Sequence, residues 1–193
     1  LIGLLAMRAL LLRLGFTEAT TAWTLVAIGF GTQLMQYGAL QPGWSHVYSF
    51  CAVSLFLLAS LRFATGRAAR WLFIMAALLG LIILIRPVNA LVVLALPAVL
   101  GDALLHLLRD LFRRPLMLLA AISACFAIVF IQPLLWHSQT GLWIAYGYQG
   151  EGFHWDRPEI LKVLFGFRRG LFLWTPVLLL AVAGTLWLLM KER

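Results

Sequence analysis

Apolar residues fill this chain in runs too long for an amphipathic helix, and polar residues arrive in short clusters between the runs. Runs that are apolar all round read as helices buried on every side. Residues 1–14 read as the end of one such helix, with Arg8 and Arg13 marking its polar side. Thr17, Glu18 and Thr20 form a capping region for the next run, residues 19–40, which is long enough to cross a bilayer. Pro42 and Gly43 punctuate an uncharged connector, and Ser45 is placed to cap a third run, residues 46–61. Arg62, Arg67 and Arg70 then fall in a loop without an acid, which marks the cytoplasmic side.

From Trp71 to Leu100 the polar interruption is Arg86-Pro87-Val88-Asn89. One helix of that length would measure about 45 Å against a hydrocarbon core of about 30 Å. It would also hold Arg86 near mid-membrane, at about 2.5–3.5 kcal/mol on insertion scales. A helical hairpin with its tip at Arg86-Pro87 avoids both. Basic residues then divide ten inside against five outside, and nine against five with one long helix. Length therefore decides between the two.

Residues 102–114 read as an amphipathic helix on the cytoplasmic surface. Asp102, His106, Arg109, Asp110 and Arg113 lie on one face, opposite Leu104, Leu105, Leu108, Leu111 and Phe112. Pro115 opens a run to about residue 135, and a last run covers residues 171–190. Between them, residues 136–172 form an outer loop that concentrates charged and aromatic side chains. These elements predict an all-α polytopic membrane protein. It has six to seven transmembrane helices in a single transmembrane domain over residues 1–193, with a short interfacial helix in the extracytoplasmic loop. The chain begins at Leu1 in apolar sequence and reads as part of a longer polytopic protein.

Composition agrees with that architecture. The 193 residues are 63% hydrophobic and 11% charged, against about half apolar and a quarter charged in soluble domains. The net charge of +8 comes mostly from short loops beside apolar runs. It therefore follows the positive-inside rule and implies no nucleic-acid partner. Cys51 and Cys125 lie within apolar runs and read as small buried hydrophobes.

The predicted topology brings three polar places to the outer face: residues 41–46, residues 86–89 and the loop from His137 to Arg169. A cationic tip beneath carboxylates and aromatics suits an anionic, lipid-linked substrate. The guanidinium of Arg86 offers a planar fork for phosphate oxygens, and an intramembrane arginine is a functional hypothesis by default. Asn89, His46, Tyr148, Glu151, His154 and Arg168 complete the candidate substrate-binding set. Glu151 sits between Gly150 and Gly152, where backbone can approach a ligand closely. Each has a plainer reading. His46 can be a helix-end histidine, the aromatics an interface belt, and Arg157, Lys162, Arg168 and Arg169 contacts to lipid headgroups. Asp156 and Glu159 are spaced as a capping box for a short helix reaching Gly166. His46, His137, Glu151, His154 and Asp156 could supply ligands to a divalent metal, but no metal-binding spacing joins them. No cofactor is predicted.

Four segments resemble a known family. YGYQGEGFHWDRP (residues 146–158), VLFGFRRGLFLWTP (163–176), PGWSHVYSF (42–50) and LIRPVN (84–89) are similar to segments of bacterial GT-C type membrane glycosyltransferases, the family 39 proteins related to protein mannosyltransferases. The resemblance covers most of the chain in outline, through short motifs. It implies a polyprenyl-phosphate-linked sugar donor, extracytoplasmic chemistry with inversion at the anomeric carbon, and a multi-pass protein of the bacterial inner membrane. That family carries its catalytic carboxylate in a first extracytoplasmic loop that has no counterpart here. The resemblance therefore assigns no catalytic residue, only accessory roles for Arg86 near donor phosphate and for the Glu151 region. The competing expectation is a structural or accessory subunit that meets partner membrane subunits, or a lipid transporter.

Overall fold

A computed structural model describes residues 1–145, 156–168 and 170–191. Among them every regular element is helical. In chain order these are α1 (Ile2–Arg13), α2 (Glu18–Gly31), a π-helical turn (Gln36–Leu40), α3 (Ser45–Gly66), α4 (Ala69–Ile85), a 3-10 segment (Pro87–Ala95), α5 (Leu96–Leu100), α6 (Ala103–Phe112), α7 (Pro115–Val129), α8 (Ile131–Thr140), α9 (Ile160–Phe165), α10 (Leu171–Trp174) and α11 (Val177–Lys191). The chain divides into two compact units, one of Leu1–Thr21 with Trp44–Tyr146 and one of Ala22–Gly43 with Gly147–Arg193.

The first unit is built around α3. Its upper half packs Ala52, Phe56, Leu57 and Leu58 with Ala6 and Leu10 of α1 and Ile82 of α4. Its lower half places Phe63 and Ala64 with Leu72 and Ala76 of α4, Leu107 and Leu111 of α6, and Ala121 of α7. Ser54 and Ser60 are buried in α3, yet each hydroxyl donates to a carbonyl one turn back, Phe50 and Phe56, at 2.8 Å. The helix thus carries its hydroxyls without an unmet group.

The chain reverses at Arg86, as the hairpin reading requires. Pro87 disfavours helical backbone at the residue before it, and Arg86 is extended at φ −156° and ψ 116°. The return leg runs back along α4. Val92 and Ala95 pack in the cluster of Ile82, and Leu100 joins Leu72 and Ala76 near the start of α4.

Other boundaries differ from expectation. Residues 19–40 are not one helix. The Thr32 hydroxyl donates to Ile28 O at 2.6 Å and accepts from Leu34 N at 3.2 Å, so local side-chain bonds replace the helical ladder. The last run is broken at Thr175, which precedes Pro176 and has φ −139°. Pro115–Thr140 is apolar and nearly continuous. It turns at Phe130 because Pro133 has no N–H for Val129 O, and it takes residues 136–140 out of the expected loop. Trp44, not Ser45, is the N-cap of α3, and α3 runs on to Gly66 through the expected arginine loop. The capping box also fails. Glu159 is the N-cap of α9, without a side-chain cap bond, and pairs instead with Lys162. Arg157 precedes Pro158 and resists the helical backbone that a cap at Asp156 would need.

Among the described residues two helices, Ser45–Gly66 and Pro115–Thr140, are long and apolar enough to cross a membrane. The stretches Ala69–Ile85, Pro87–Leu100 and Val177–Leu188 are apolar but shorter.

Close approach between α4 and α7 depends on Gly80. A Cβ there would stand 2.7 Å from Cys125 O and 3.0 Å from Ile128 Cβ. Gly80→Ala is expected to destabilise the protein by about 1–3 kcal/mol through overpacking. Gly29→Ala, where a Cβ meets nothing within 4 Å, is expected to be neutral or to stabilise by up to about 1 kcal/mol. Unfolding of the two purified variants side by side checks the contrast.

Candidate functional site

Pro87 ends α4 at its last turn and leaves Arg86 at the reversal, where its N–H still reaches Ile82 O at 3.1 Å. Asn89 N returns to Arg86 O at 2.9 Å, which starts the 3-10 segment. The turn is therefore tight, and its two polar side chains lie three residues apart.

Both meet the N-terminal end of α3. Asn89 donates from Nδ2 to Ser49 Oγ at 2.9 Å. Arg86 Nη1 stands 3.5 Å from His46 Nδ1. A guanidinium only donates, so His46 accepts there as the tautomer protonated on Nε2. His46 and Ser49 share a helix face at i, i+3, and His46 also stacks against Trp44 with ring planes 15° apart. Arg86, Asn89, His46 and Ser49 are all half-buried.

Among the described residues, the ion pairs are Arg8–Glu18, Arg67–Asp110, Arg157–Asp156 and Lys162–Glu159. Arg86 is in none of them. It also faces the start of α3, where the N-cap contributes no side-chain hydrogen bond. First-turn N–H groups and the positive end of the helix dipole add to the guanidinium charge. This corner is electropositive and half-buried.

The arrangement joins Arg86, Asn89 and His46 of the expected set. Arg168 is exposed in the turn between α9 and α10, within the second unit. Tyr148, Glu151 and His154 lie outside the described residues. His137, a candidate metal ligand, stacks on Trp143 with centroids 4.2 Å apart. Among the described residues no group of three or more His, Cys, Asp or Glu side chains is placed to hold a metal. Ser49 was not foreseen. Its signal is its place three residues after His46 at a helix start, where both side chains share a face.

Comparison with protein-family models, with curated proteins and with solved structures finds no match for this chain. The family resemblance therefore rests on the quoted motifs.

If the Asn89–Ser49 bond holds the turn on α3, Asn89→Ala and Ser49→Ala should each destabilise by about 1 kcal/mol. The double variant should lose less than their sum, with a coupling of about 0.5–1.5 kcal/mol. A double-mutant cycle on unfolding free energy measures it, and additivity would show the tie to be idle.

Proposed function

We propose that the protein is a polytopic membrane protein of the bacterial inner membrane, with six to seven spans, that handles a polyprenyl-phosphate-linked sugar at its extracytoplasmic face in the manner of a GT-C type glycosyltransferase. The observation that carries this reading is Arg86, a half-buried guanidinium at a helix break, with no carboxylate partner among the described residues and with the N-terminus of α3 beside it. An isolated cation in such a place is costly unless an anion completes it. A phosphate monoester or diester fits the fork of donors that His46 leaves open. In this reading Arg86 holds donor phosphate, His46 and Asn89 orient it, and the catalytic carboxylate comes from outside the residues named here.

The two ends of α3 support the membrane orientation. Its start meets Arg86, and its end carries Arg67, paired to Asp110 at 2.6 Å. The helix has 22 residues, about 33 Å at 1.5 Å per residue, which matches a hydrocarbon core of about 30 Å. Single cysteines at Gly66 and Leu108, in a chain with Cys51 and Cys125 replaced, should be labelled from the cytoplasmic side. A cysteine at Val88 should be labelled from the opposite side. Labelling of positions 66 and 88 from the same side would exclude this orientation.

Arg86→Ala should weaken binding of a polyprenyl-phosphate sugar about ten- to a hundredfold, the loss expected for charged hydrogen bonds of about 1.5–3 kcal/mol. Arg86→Lys should recover part of it, because a point charge does not reproduce bidentate contact. Donor binding to the reconstituted variants checks this. Unchanged affinity in well-folded Arg86→Ala, or lost yield without a binding defect, would favour a structural subunit in which Arg86 serves the helix packing.

A further inference from the structure

The far end of α3 carries a second cationic cluster with different surroundings. Arg67 there pairs with Asp110 of α6 and also reaches His106 O at 3.5 Å. A shallow recess lined by Phe63, Arg67, Asp110 and Leu111 also touches Arg114 and Met117 at the entry to α7. The end of α3, the C-terminal half of α6 and the start of α7 therefore meet there. Arg62, Arg67, Arg109, Arg113 and Arg114 belong to or border these segments, and Arg70 lies in the first turn of α4. Among the described residues Asp110 neutralises Arg67 alone. Arg62 lies over the Trp71 ring at 4.5 Å, and its buried Nε has no hydrogen-bond partner among the described residues, while Arg70 lies 5.6 Å from the same ring.

α6 is apolar on two sides. Leu107 and Leu111 are buried in the core. Leu105, Leu108 and Phe112, at i, i+3 and i+7, are exposed by 67%, 42% and 74%, and exposed Leu116 continues the stripe on α7. The face expected to be one apolar stripe is thus divided between the protein and its surroundings. An exposed apolar stripe edged by arginines that lack carboxylates is complementary to one surface, an anionic bilayer interface: acyl chains for the leucines and phenylalanine, phosphates for the guanidinium groups.

We infer that α6 and the α3–α4 and α6–α7 turns form a binding site for anionic phospholipid headgroups, with the Leu105–Leu108–Phe112 face sunk in the acyl boundary. This rests on the membrane placement proposed above and not on the donor chemistry. Arg67 is held by Asp110 and acts as the strut that fixes α6 against the end of α3. Arg109, Arg113 and Arg114 supply the charge that selects phosphatidylglycerol-like lipids over zwitterionic ones.

The test uses the full chain in nanodiscs of equal phosphatidylcholine and phosphatidylglycerol, with the lipids retained on the protein counted by native mass spectrometry. Wild type should retain phosphatidylglycerol several-fold in excess. Arg109→Gln, Arg113→Gln and Arg114→Gln together should bring the ratio close to one, about fivefold being the effect of a basic side chain at an anionic surface. The same three positions changed to Lys should keep most of the preference. Raising salt to about 1 M, where screening reaches about 3 Å, should shrink it in wild type, which serves if the glutamine variant does not fold. No preference in wild type, a preference untouched in a folded glutamine variant, or one indifferent to salt would each overturn the inference. A chain that stays dispersed without detergent and does not enter nanodiscs would overturn the membrane reading with it.

Discussion

Asn89 and Ser49 join across 2.9 Å, a bond between α3 and the turn that carries Arg86. The sequence around Arg86 is apolar on both sides, so a guanidinium has few places to go. In mid-helix it would be stranded in hydrocarbon or in the core. Proline supplies the break, the extended residue before it supplies the reversal, and the amide of Asn89 fixes the reversal on α3. The turn then sits against a helix N-terminus, with no carboxylate paired to Arg86 among the described residues. Positive charge is concentrated there, and an anion would relieve both the guanidinium and the helix end.

α3 fixes more than this corner. Its upper half receives α1 and the return leg from Arg86, and its lower half receives α4 and α6. Gly3 and Gly80 allow the neighbouring helices to come close, for a Cβ on Gly3 would stand 2.9 Å from Cys51 Cα. Small residues at helix crossings and hydroxyls bonded to their own helix are how apolar helices pack when little distinguishes the inside from the outside in polarity. The polar chemistry is left to the two ends of α3. One end has an arginine without a carboxylate among the described residues, and the other has an arginine locked to Asp110.

Much of this was legible in the sequence, and the reasons for the rest are local. Apolar runs gave the all-helical class. The Arg86-Pro87 step gave the reversal, because length and the proline rule point the same way. The joining of His46 with Arg86 followed from counting helices across a bilayer. Thr32 could not be read as a break, since a threonine in an apolar run bonds its own helix as readily as it interrupts it; Ser54 and Ser60 do the former in α3. Asp156 is no cap because Pro158, between it and Glu159, keeps Arg157 from helical backbone. Thr175-Pro176 carries the same signal as Arg86-Pro87, but no charge marks it. The partition of the α6 leucines depends on which neighbours cover them, and a helical wheel holds no information on that.

Burial separates the two longest helices in a way that bears on what surrounds the chain. Within its most apolar window α3 is 56% buried, while Pro115–Thr140 is 6% buried. A helix as apolar as the second, touching α4 mainly along the Gly80 side, leaves Leu116, Leu119, Ile122 and Phe126 uncovered. Water would penalise such a face at about 25 cal/mol per Å² of apolar surface, and soluble monomers rarely expose contiguous patches of that kind. The face needs hydrocarbon or another apolar chain against it. On the membrane placement proposed above, lipid meets the need: Arg113 and Arg114 lie just before the helix, and His137 and Trp143 stack together near its end. Basic residues at one end and aromatics at the other are what an interface at each end of a span selects.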